Sequence, residues 1–353
     1  MKTVKIRKPM QIKNYLIRWL VGLLKPWMGS HKGNRFLIVS TTGLGDTLWG
    51  TPALRALRQT CPAAYIAVLT SPVGGEVLQN NPHLDEIFTL RHTWSLIKLL
   101  PLLRKRQIAT VLIFHTSQRF VLPICSLLGA SRIVGTEKIN KGLDSLLTER
   151  LPASPVHEIE RRLQIAGIKT DSKQMEIFPS VADHRKAAEV TPSGVVVGMH
   201  PGAKDLFKQW PPSHFIKLGN ELQKSLGCTL VITGSPSEKQ LVEQIAAAIP
   251  GAIALYRDLS IPAFAAFLSR LSLFITNDTG PLHLASASKT PTVALFTPTD
   301  PQLCGPYFAP HVHVIQKKPT CLPCLRKKCR EPFCLLQISP DEVLKAALTL
   351  VNK

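Results

Sequence analysis

The sequence predicts an α/β protein with parallel sheets. Short apolar runs that suit strands buried on both faces alternate with longer amphipathic segments that suit helices. This alternation starts near residue 36 and starts again near residue 194, after a polar stretch. With 353 residues, the chain is also long enough for two domains. We therefore expect two sheets, one in each half of the chain.

The first half has the succession of a βαβ unit, in which an amphipathic helix joins two parallel strands. Strands are expected at 36–40, 65–70, 108–114 and 131–135, and a helix at 51–61. The second half repeats this pattern, with strands at 194–202, 229–235, 273–278 and 290–297 and a helix at 212–226. Several strands end at Gly, Ser, Thr or Asp, so their loops lie at the carboxyl edge, where open α/β sheets bind ligands.

The domain boundaries follow from these patterns. Residues 36–180 form the N-terminal domain, the polar stretch 181–193 is expected to be a linker, and residues 194–353 form the C-terminal domain with a terminal helix. Residues 1–35 carry nine Lys and Arg and no acid. We treat them as a separate basic arm.

The arm has an apolar, aromatic centre, "NYLIRWLVGLLKPWM", which includes Arg18. This stretch is shorter than the ~20 residues that a membrane-spanning helix needs, so it could lie on a membrane surface but not cross it. Basic residues next to a short Trp-containing helix suit the anionic inner face of a membrane, where each cation contributes about 1 kcal/mol. A solvated tail that binds nothing is the alternative.

Two other functions of a basic N-terminus are disfavoured. The net charge of +20 would suit nucleic acid, but the sequence has no helix-turn-helix, zinc-finger or aromatic RNA-binding motif, so no nucleic-acid partner is expected. A signal peptide is disfavoured because charges run through and beyond the apolar part, and no small-residue cleavage site follows.

The glycine loop in "VSTTGLGDTLWGTPALRALR" follows the first predicted strand. It is not a dinucleotide fingerprint, because Leu48 stands where the third Gly should be and the next strand has no acid at its end. A P-loop is excluded because no Gly-Lys-Ser/Thr follows. The loop retains a turn at Gly43 and Gly45 with Asp46 at the start of a helix. From the residues alone, Asp46 is either a helix-start acid that interacts with the dipole or a carboxylate that faces a ligand.

Two loops in the second half suit a diphosphate. In "LFITNDTGPLHLASAS" a buried strand ends before Asp278 and a helix starts near Gly280, so that its amides and the Thr279 hydroxyl can bind an anion, with His283 one turn along. In "GMHPGAKDLFKQWPPSHF" a glycine turn follows a strand, with Lys204 and Lys208 nearby. Each feature also has a purely structural interpretation, as a helix cap or a packed histidine.

Taken together, these motifs resemble glycosyltransferase family 9, the heptosyltransferases of lipopolysaccharide core assembly. The resemblance lies in three segments that occur in the family's order, from about Phe36 to the C-terminus. They are Leu44–Asp46 followed by "TPALRAL", Pro201–Pro211 with its Pro-Gly-Ala and Lys-x-Trp-Pro, and Asp278–His283 followed by "TPTVALFTPTDPQLCGPY". The segment "HEIERRLQIAGI" is also similar to a helix of that family.

The resemblance implies a GT-B architecture, in which two Rossmann-like lobes have parallel sheets that face a central cleft. It implies an ADP-activated heptose donor bound mainly by the C-terminal lobe. It also implies a lipid A-linked oligosaccharide acceptor at the N-terminal lobe, and inverting single displacement without a cofactor. An enzyme of this kind would be cytoplasmic and peripheral on the inner face of the bacterial inner membrane.

Residue roles follow from the matched motifs. Asp46 would be the general base, and the donor contacts would be Lys208, Asp278, Thr279, Gly280 and His283. Further loop contacts are expected at Gly43, Gly45, Gly202, Lys204, Thr233 and Gly234. The sequence departs from the family at Ser40, where the family usually has Arg. The acid of the "TGS" loop has no clear counterpart, although Glu238 lies close by.

Four of the eight cysteines lie together, as Cys321, Cys324, Cys329 and Cys334. The C-x-x-C pair and its cationic neighbours suit a structural zinc ion, whereas reduced thiols or labile disulfides are the alternatives.

Two other functions also remain open for the whole chain. One is a related nucleotide-sugar enzyme such as an epimerase, which needs no lipid acceptor, and the other is a non-catalytic protein that binds membrane or nucleic acid.

Overall fold

The computed structural model describes residues 8–92, 94–115, 119–256, 259–321, 324, 329 and 333–351. The chain divides into two compact units, Met1–Lys173 and Gln174–Lys353. Within the described residues, each unit contains one six-stranded sheet with helices on its faces.

The helices and strands of the first unit are α1 (Lys8–Leu24), β1 (Arg35–Ser40), α2 (Leu44–Leu48), α3 (Thr51–Thr60), β2 (Tyr65–Thr70), α4 (Pro72–Val77), β3 (Glu86–Thr89), α5 (Ser95–Lys105), β4 (Thr110–His115), α6 (Val121–Ser126), β5 (Arg132–Thr136), β6 (Glu149–Leu151) and α7 (Glu158–Ala166). Short 3₁₀ turns lie at Lys25–Met28 and Asp144–Leu146.

Those of the second unit are α8 (Val181–Val190), β7 (Val196–His200), α9 (Pro212–Leu226), β8 (Thr229–Thr233), α10 (Lys239–Ala247), β9 (Ile253–Leu255), α11 (Ile261–Leu268), β10 (Leu273–Asn277), α12 (Gly280–Ala287), β11 (Thr292–Phe296), α13 (Pro301–Cys304), β12 (Val312–Gln316), α14 (Phe333–Leu336) and α15 (Pro340–Val351). Here 3₁₀ turns lie at Leu206–Lys208 and Pro236–Glu238.

Both sheets are parallel and have the same strand order. In the described residues the order is β3-β2-β1-β4-β5-β6 in the first unit and β9-β8-β7-β10-β11-β12 in the second. This is the Rossmann order, in which the direction of strand succession reverses between the first and fourth strands of each sheet. The prediction of two parallel α/β sheets is confirmed. The reversals place β1 beside β4 and β7 beside β10.

Burial explains which strands could be found in the sequence. The inner strands β7, β10 and β11 are buried along their whole length because helices cover both faces of a parallel sheet. The outermost strands β3, β6, β9 and β12 are short or partly exposed. All eight predicted strands are inner strands, and the four that sequence patterns did not reveal are the edges.

Residues 181–190, which the sequence analysis assigned to a linker, form helix α8 of the second unit. Ser180 caps this helix: its hydroxyl accepts the Asp183 N–H at 3.2 Å, and the Asp183 carboxylate accepts the Ser180 N–H at 2.8 Å. Ala187 is the buried residue of α8, which packs against α11. Because α8 buries so little apolar surface, its sequence is as polar as that of a linker, which explains the prediction.

The N-terminal helix α1 packs on the first unit through one narrow stripe. Asn14 and Val21 are buried, and Ile17 packs against the core that includes Leu37 and Val39. The Asn14 side chain donates to the carbonyl oxygen of Lys141 at 2.9 Å and accepts from the guanidinium of Arg119 at 2.5 Å. Residues 1–7 of the basic arm lie outside the described part of the chain. Among the helices that are described, none combines the length and the apolar character that crossing a membrane requires.

Candidate functional site

The second unit has a candidate ligand site where β7 and β10 lie side by side. At this reversal of strand order, the helices that follow the two strands leave on opposite faces of the sheet, which opens a crevice at the carboxyl edge. The loop after β7 contains Gly202, Lys204 and Lys208, and the loop after β10 contains Asp278 and Thr279. The fold therefore brings the two predicted donor loops together.

Asn277 joins these two loops. Its side chain is fully buried, and its amide nitrogen donates to the carbonyl oxygens of Pro201 at 2.8 Å and Gly202 at 3.4 Å. Its amide oxygen accepts the backbone N–H of Trp210 at 3.1 Å. One side chain thus satisfies polar backbone groups at both ends of the loop after β7, which would otherwise lose hydrogen bonds on burial. Asn277 was not among the site residues predicted from the sequence.

An ion pair connects the same loops at their surface. The Lys208 ammonium donates to Asp278 Oδ2 at 2.5 Å, and the Thr299 hydroxyl donates to the same oxygen. The Asp278 side chain is almost fully buried, whereas that of Lys208 is 20% exposed. Asp278 therefore holds the lysine at the open side of the crevice. A cation in this position can attract an anionic ligand.

Helix α12 starts next to this ion pair. Thr279 is its N-cap residue in extended conformation, Gly280 is its first residue, and Pro281 occupies the first turn, where its missing N–H costs nothing. The amide end of a helix carries a partial positive charge. His283 lies one turn further along and is buried. Lys208, Thr279 and Gly280 therefore bring positive charge and donor groups to one place.

Gly202 and Glu238 are in close contact at the neighbouring part of the edge. A Cβ atom on Gly202 would lie 2.0 Å from Glu238 Oε1, so a larger residue there would require this carboxylate to move. The other oxygen, Glu238 Oε2, accepts from the N–H and the hydroxyl of Ser235 at 2.8 and 2.7 Å. Glu238, which the sequence left unassigned, is thus fixed next to the predicted glycine loop.

The three remaining predicted loop residues of the second unit have different environments. Lys204 is exposed. Thr233 is fully buried, and its hydroxyl donates to the carbonyl oxygen of Met199 at 3.3 Å. A Cβ on Gly234 would lie 2.5 Å from Val242, so this glycine allows α10 to pack closely. Thr233 and Gly234 therefore contact other parts of the second unit and stabilise the carboxyl edge of its sheet.

His200 is a buried histidine at the end of β7. Its Nδ1 lies 3.0 Å from the Thr233 hydroxyl, within hydrogen-bond distance. Its Nε2 lies 4.0 Å from Glu238 Oε2. Burial lowers the pKa of His200 from 6.5 to about 4, and the charge of Glu238 opposes this shift. His200 is therefore neutral at pH 7.

The first unit has a second candidate site at its own strand reversal. Ser40 ends β1 and pairs with His115 at the end of β4, after a one-residue shift of the register between Val39 and Ser40. Ser40 is buried. The glycine loop follows, and Asp46 lies in the first turn of α2, where its carboxylate accepts the Gly43 N–H at 3.3 Å. Asp46 therefore does cap the start of α2, as one of the two interpretations predicted. Its side chain is also 28% exposed, so the carboxylate can meet a ligand.

Arg162 is the neighbour of Asp46 that the sequence did not reveal. It extends from α7 and is completely buried, and its Nη2 lies 3.6 Å from Asp46 Oδ1. Its Nη1 donates to the backbone oxygen and the carboxylate of Glu158, at 2.8 and 2.5 Å. The guanidinium carbon lies 5.3 Å from the centre of the Trp49 ring. Arg162 is thereby fixed by two partners and can hold the Asp46 carboxylate in one orientation.

The expected zinc site does not fit the described geometry. Cys321, Cys324 and Cys329 are partly exposed, whereas Cys334 is buried. Cys334 belongs to α14, and the next residue, Leu335, packs in the core of the second unit. In the part of the chain that is described, no three His, Cys, Asp or Glu side chains lie close enough to hold a metal ion. Residues 322–323, 325–328 and 330–332 of this segment lie outside that part.

The sequence matches the profile of glycosyltransferase family 9 (heptosyltransferase) over residues 123–334, which is more than half of the chain. It is 24% identical to lipopolysaccharide heptosyltransferase 1 of Pseudomonas aeruginosa over 346 residues, covering 88% of this chain and 96% of that protein.

Two solved structures show the same fold. The E. coli ADP-heptose LPS heptosyltransferase II has a TM-score of 0.77 at 18% identity, covering 90% of this chain and 98% of that one. An E. coli heptosyltransferase determined with ADP has a TM-score of 0.71 at 18% identity, covering 90% of this chain and 99% of that one. These matches confirm the predicted GT-B fold class.

The low pKa of His200 predicts how stability depends on pH. Between pH 6.5 and about 4 the unfolded chain binds a proton at His200 that the folded chain does not bind. Stability should therefore fall as the pH falls through this window, by up to about 1.4 kcal/mol per pH unit from this one group. Replacement by Asn should remove that part of the slope.

Urea unfolding of the wild type and of His200→Asn at several pH values between 4 and 7 measures this slope. The exposed His184→Asn serves as the control, because it changes the same residue type in α8. A wild-type slope retained by His200→Asn would show that other groups cause the acid sensitivity.

Proposed function

This chain belongs to glycosyltransferase family 9, the heptosyltransferase family, and we propose that it transfers a heptose from an ADP-activated donor to a lipid A-linked acceptor in lipopolysaccharide core synthesis. The names of its relatives support the donor and the pathway. The observation that carries the proposal is the Lys208–Asp278 pair next to the first turn of α12, which lies within the residues that match the family.

In the proposed donor site, Lys208 binds the diphosphate. The amide end of α12, with Thr279 and Gly280, supplies further donors to the same anion. Asp278 orients the lysine through its ion pair. Because the Asp278 side chain is almost fully buried, its own negative charge does not face the donor. Gly202 makes room for the Glu238 carboxylate, which can accept hydrogen bonds from sugar hydroxyls. His283 is a buried support of the α12 turn.

The proposed reaction is a single displacement with inversion at the anomeric carbon. An acceptor hydroxyl forms the new bond to that carbon as the bond to the diphosphate breaks, the hydroxyl proton passes to a general base, and ADP leaves. Negative charge grows on the departing diphosphate, where Lys208 and the α12 amides stabilise it. The proposal invokes no resident cofactor.

We assign the general base to Asp46, with Arg162 as its positioning residue. Asp46 precedes the residues that match the family, so this role rests on its place at the strand reversal and on its partly exposed carboxylate. Gly43 N–H donates to one carboxylate oxygen, and the Arg162 guanidinium lies at ion-pair distance, 3.6 Å, from the other, which limits the orientations that Asp46 can adopt. A base held in one orientation transfers protons more efficiently.

The basic arm supplies the proposed link to the acceptor, which is part of a membrane lipid. We propose that α1 lies on the anionic inner face of the inner membrane, with the chain on the cytoplasmic side. Its outward surface is apolar and strongly exposed, and the residues concerned are Ile12, Tyr15, Leu16, Trp19, Leu20 and Leu23. Lys13, Arg18 and Lys25 lie in the same segment. This combination is typical of helices that lie in a membrane interface.

The Lys208→Ala variant tests the donor site. Loss of a charge-assisted contact should weaken ADP-heptose binding by about 1.5 to 3 kcal/mol. Because the substitution also removes the ion-pair partner of buried Asp278, melting temperature must be measured in parallel. Binding of adenosine, which has no phosphate, should be unchanged in the same variant.

The matched control for Lys208→Ala is Lys217→Ala, a lysine on α9 that also pairs with an aspartate but is 57% exposed. Equal losses of ADP-heptose and adenosine binding in Lys208→Ala would indicate that the loops are distorted. Unchanged binding of both would remove Lys208 from the donor site.

The Asp46→Asn variant tests the base. Asparagine keeps the size of the side chain but accepts no proton, so turnover should fall about 10²- to 10⁴-fold while ADP-heptose affinity is retained. Asp183→Asn is a close control, since Asp183 holds the same position in the first turn of α8 and also accepts the N–H of its N-cap residue. Wild-type turnover in Asp46→Asn, with a melting temperature lowered as in Asp183→Asn, would restrict Asp46 to helix capping.

The Leu23→Ser variant tests the membrane role of α1. If the helix inserts its outward face into the interface, loss of one leucine should weaken binding to anionic vesicles by about 1.5 kcal/mol or more. Leu336→Ser is the control, because both leucines are 51% exposed and Leu336 lies in the second unit. Vesicle co-sedimentation measures both variants, and equal binding by the two would contradict the proposal.

A further inference from the structure

Helix α5 exposes a second set of large apolar side chains on the first unit. Trp94, which precedes the helix, is 79% exposed, Ile97 is 60% exposed and Leu102 is 49% exposed. Buried side chains of the same helix, Leu96 and Leu103, pack in the core. An apolar surface of this kind on an otherwise well-packed unit marks an interaction site.

Helices α1 and α5 lie on the same face of the first sheet. The core cluster that lies on this face is built on Leu37 and Val39 of β1, and Leu103 of α5 and Ile17 of α1 pack against it. Helix α6 contacts both α1 and α5. Phe120, the residue that precedes α6, is also 48% exposed. The outward sides of the two helices therefore belong to one side of the unit.

The segments that contain these helices carry basic residues and no acidic ones. Residues 1–45 and 87–136 contain sixteen of the 43 Lys and Arg residues and none of the 23 Asp and Glu residues. Around α5 the exposed basic residues include Arg91 and Lys98. A surface that combines exposed Trp with exposed cations is complementary to an anionic lipid headgroup layer.

We infer that α5 and α1 together form one lipid-docking surface, by which the first unit lies on an anionic bilayer. In this arrangement Trp94, Ile97 and Leu102 enter the interface next to the outward residues of α1, and Arg91 and Lys98 contact headgroup phosphates. The inference rests on the proposed membrane attachment of α1 and extends it to a second helix, from a part of the chain outside the basic arm.

Charge decides between a bilayer and a second copy of the chain as the occupant of this surface. Pairing two copies through it would bring two acid-free segments together, and like charges that meet in an interface disfavour association. An anionic bilayer gains from the same charges. Two helices that bind together also hold the unit in a defined orientation, because the second contact forms at high effective concentration once the first is made.

The test compares two charge reversals in the full-length chain. Lys98→Glu lies on the proposed surface, and Lys345→Glu changes an exposed lysine on α15 of the second unit. The two variants have the same net charge. Binding is measured by co-sedimentation with vesicles of phosphatidylglycerol and phosphatidylcholine, and with phosphatidylcholine alone. Lys98→Glu should weaken binding to the anionic vesicles roughly ten- to thirty-fold, whereas Lys345→Glu should change it little.

A second pair of variants tests the apolar contact. Trp94→Ser should weaken binding to the anionic vesicles and reduce the quenching of tryptophan fluorescence by brominated lipid, whereas Val181→Ser, also at a residue that is 79% exposed, should do neither. Transfer to a detergent-dispersed acceptor is measured on every variant, so that a failure of the proposed enzyme activity is visible separately from vesicle binding. Equal vesicle binding by Lys98→Glu and Lys345→Glu, or a change of oligomeric state in Trp94→Ser with unchanged vesicle binding, would overturn the inference.

Discussion

The amide of Asn277 is the interaction on which the candidate donor site depends. Where the strand order reverses between β7 and β10, two loops must diverge and leave their backbone polar groups beside the core. Asn277 bonds to the carbonyls of Pro201 and Gly202 and to the N–H of Trp210. The indole of Trp210 is buried and donates to the carbonyl oxygen of Ile338 at 3.0 Å, which anchors this loop to the core. Lys208 lies on the segment between these fixed points.

The two units have the same topology but different side chains at the reversal of strand order. At the reversal of the second unit, glycines, a lysine and the amide end of α12 provide positive charge. At the reversal of the first unit, the Asp46 carboxylate lies 3.6 Å from a buried arginine. Anion binding needs donors and cations, whereas proton acceptance needs an oriented carboxylate. The difference follows from the side chains placed in these loops, since the sheets have the same strand order.

The sequence predicted the inner strands because burial on both faces requires continuous apolar runs, such as "LFITN". It did not predict the edge strands, which need no such run, or α8, whose buried surface is centred on Ala187. The predicted donor loops come together because strand ends at a reversal are neighbours. Asn277 and Arg162 were not predicted because their roles depend on partners distant in sequence. An arginine in an amphipathic helix usually faces solvent, and only the fold reveals that Arg162 is buried beside Asp46.

The central claim is that this chain catalyses an inverting transfer of a heptose from ADP to an acceptor. Proton NMR of the purified chain with ADP-heptose and a lipid A-linked acceptor, followed in time, tests it most directly. We expect ADP to be released only when acceptor is present, and the new glycosidic bond to have the opposite anomeric configuration to the donor. A product with the donor's configuration, or release of ADP at the same rate without acceptor, would contradict it.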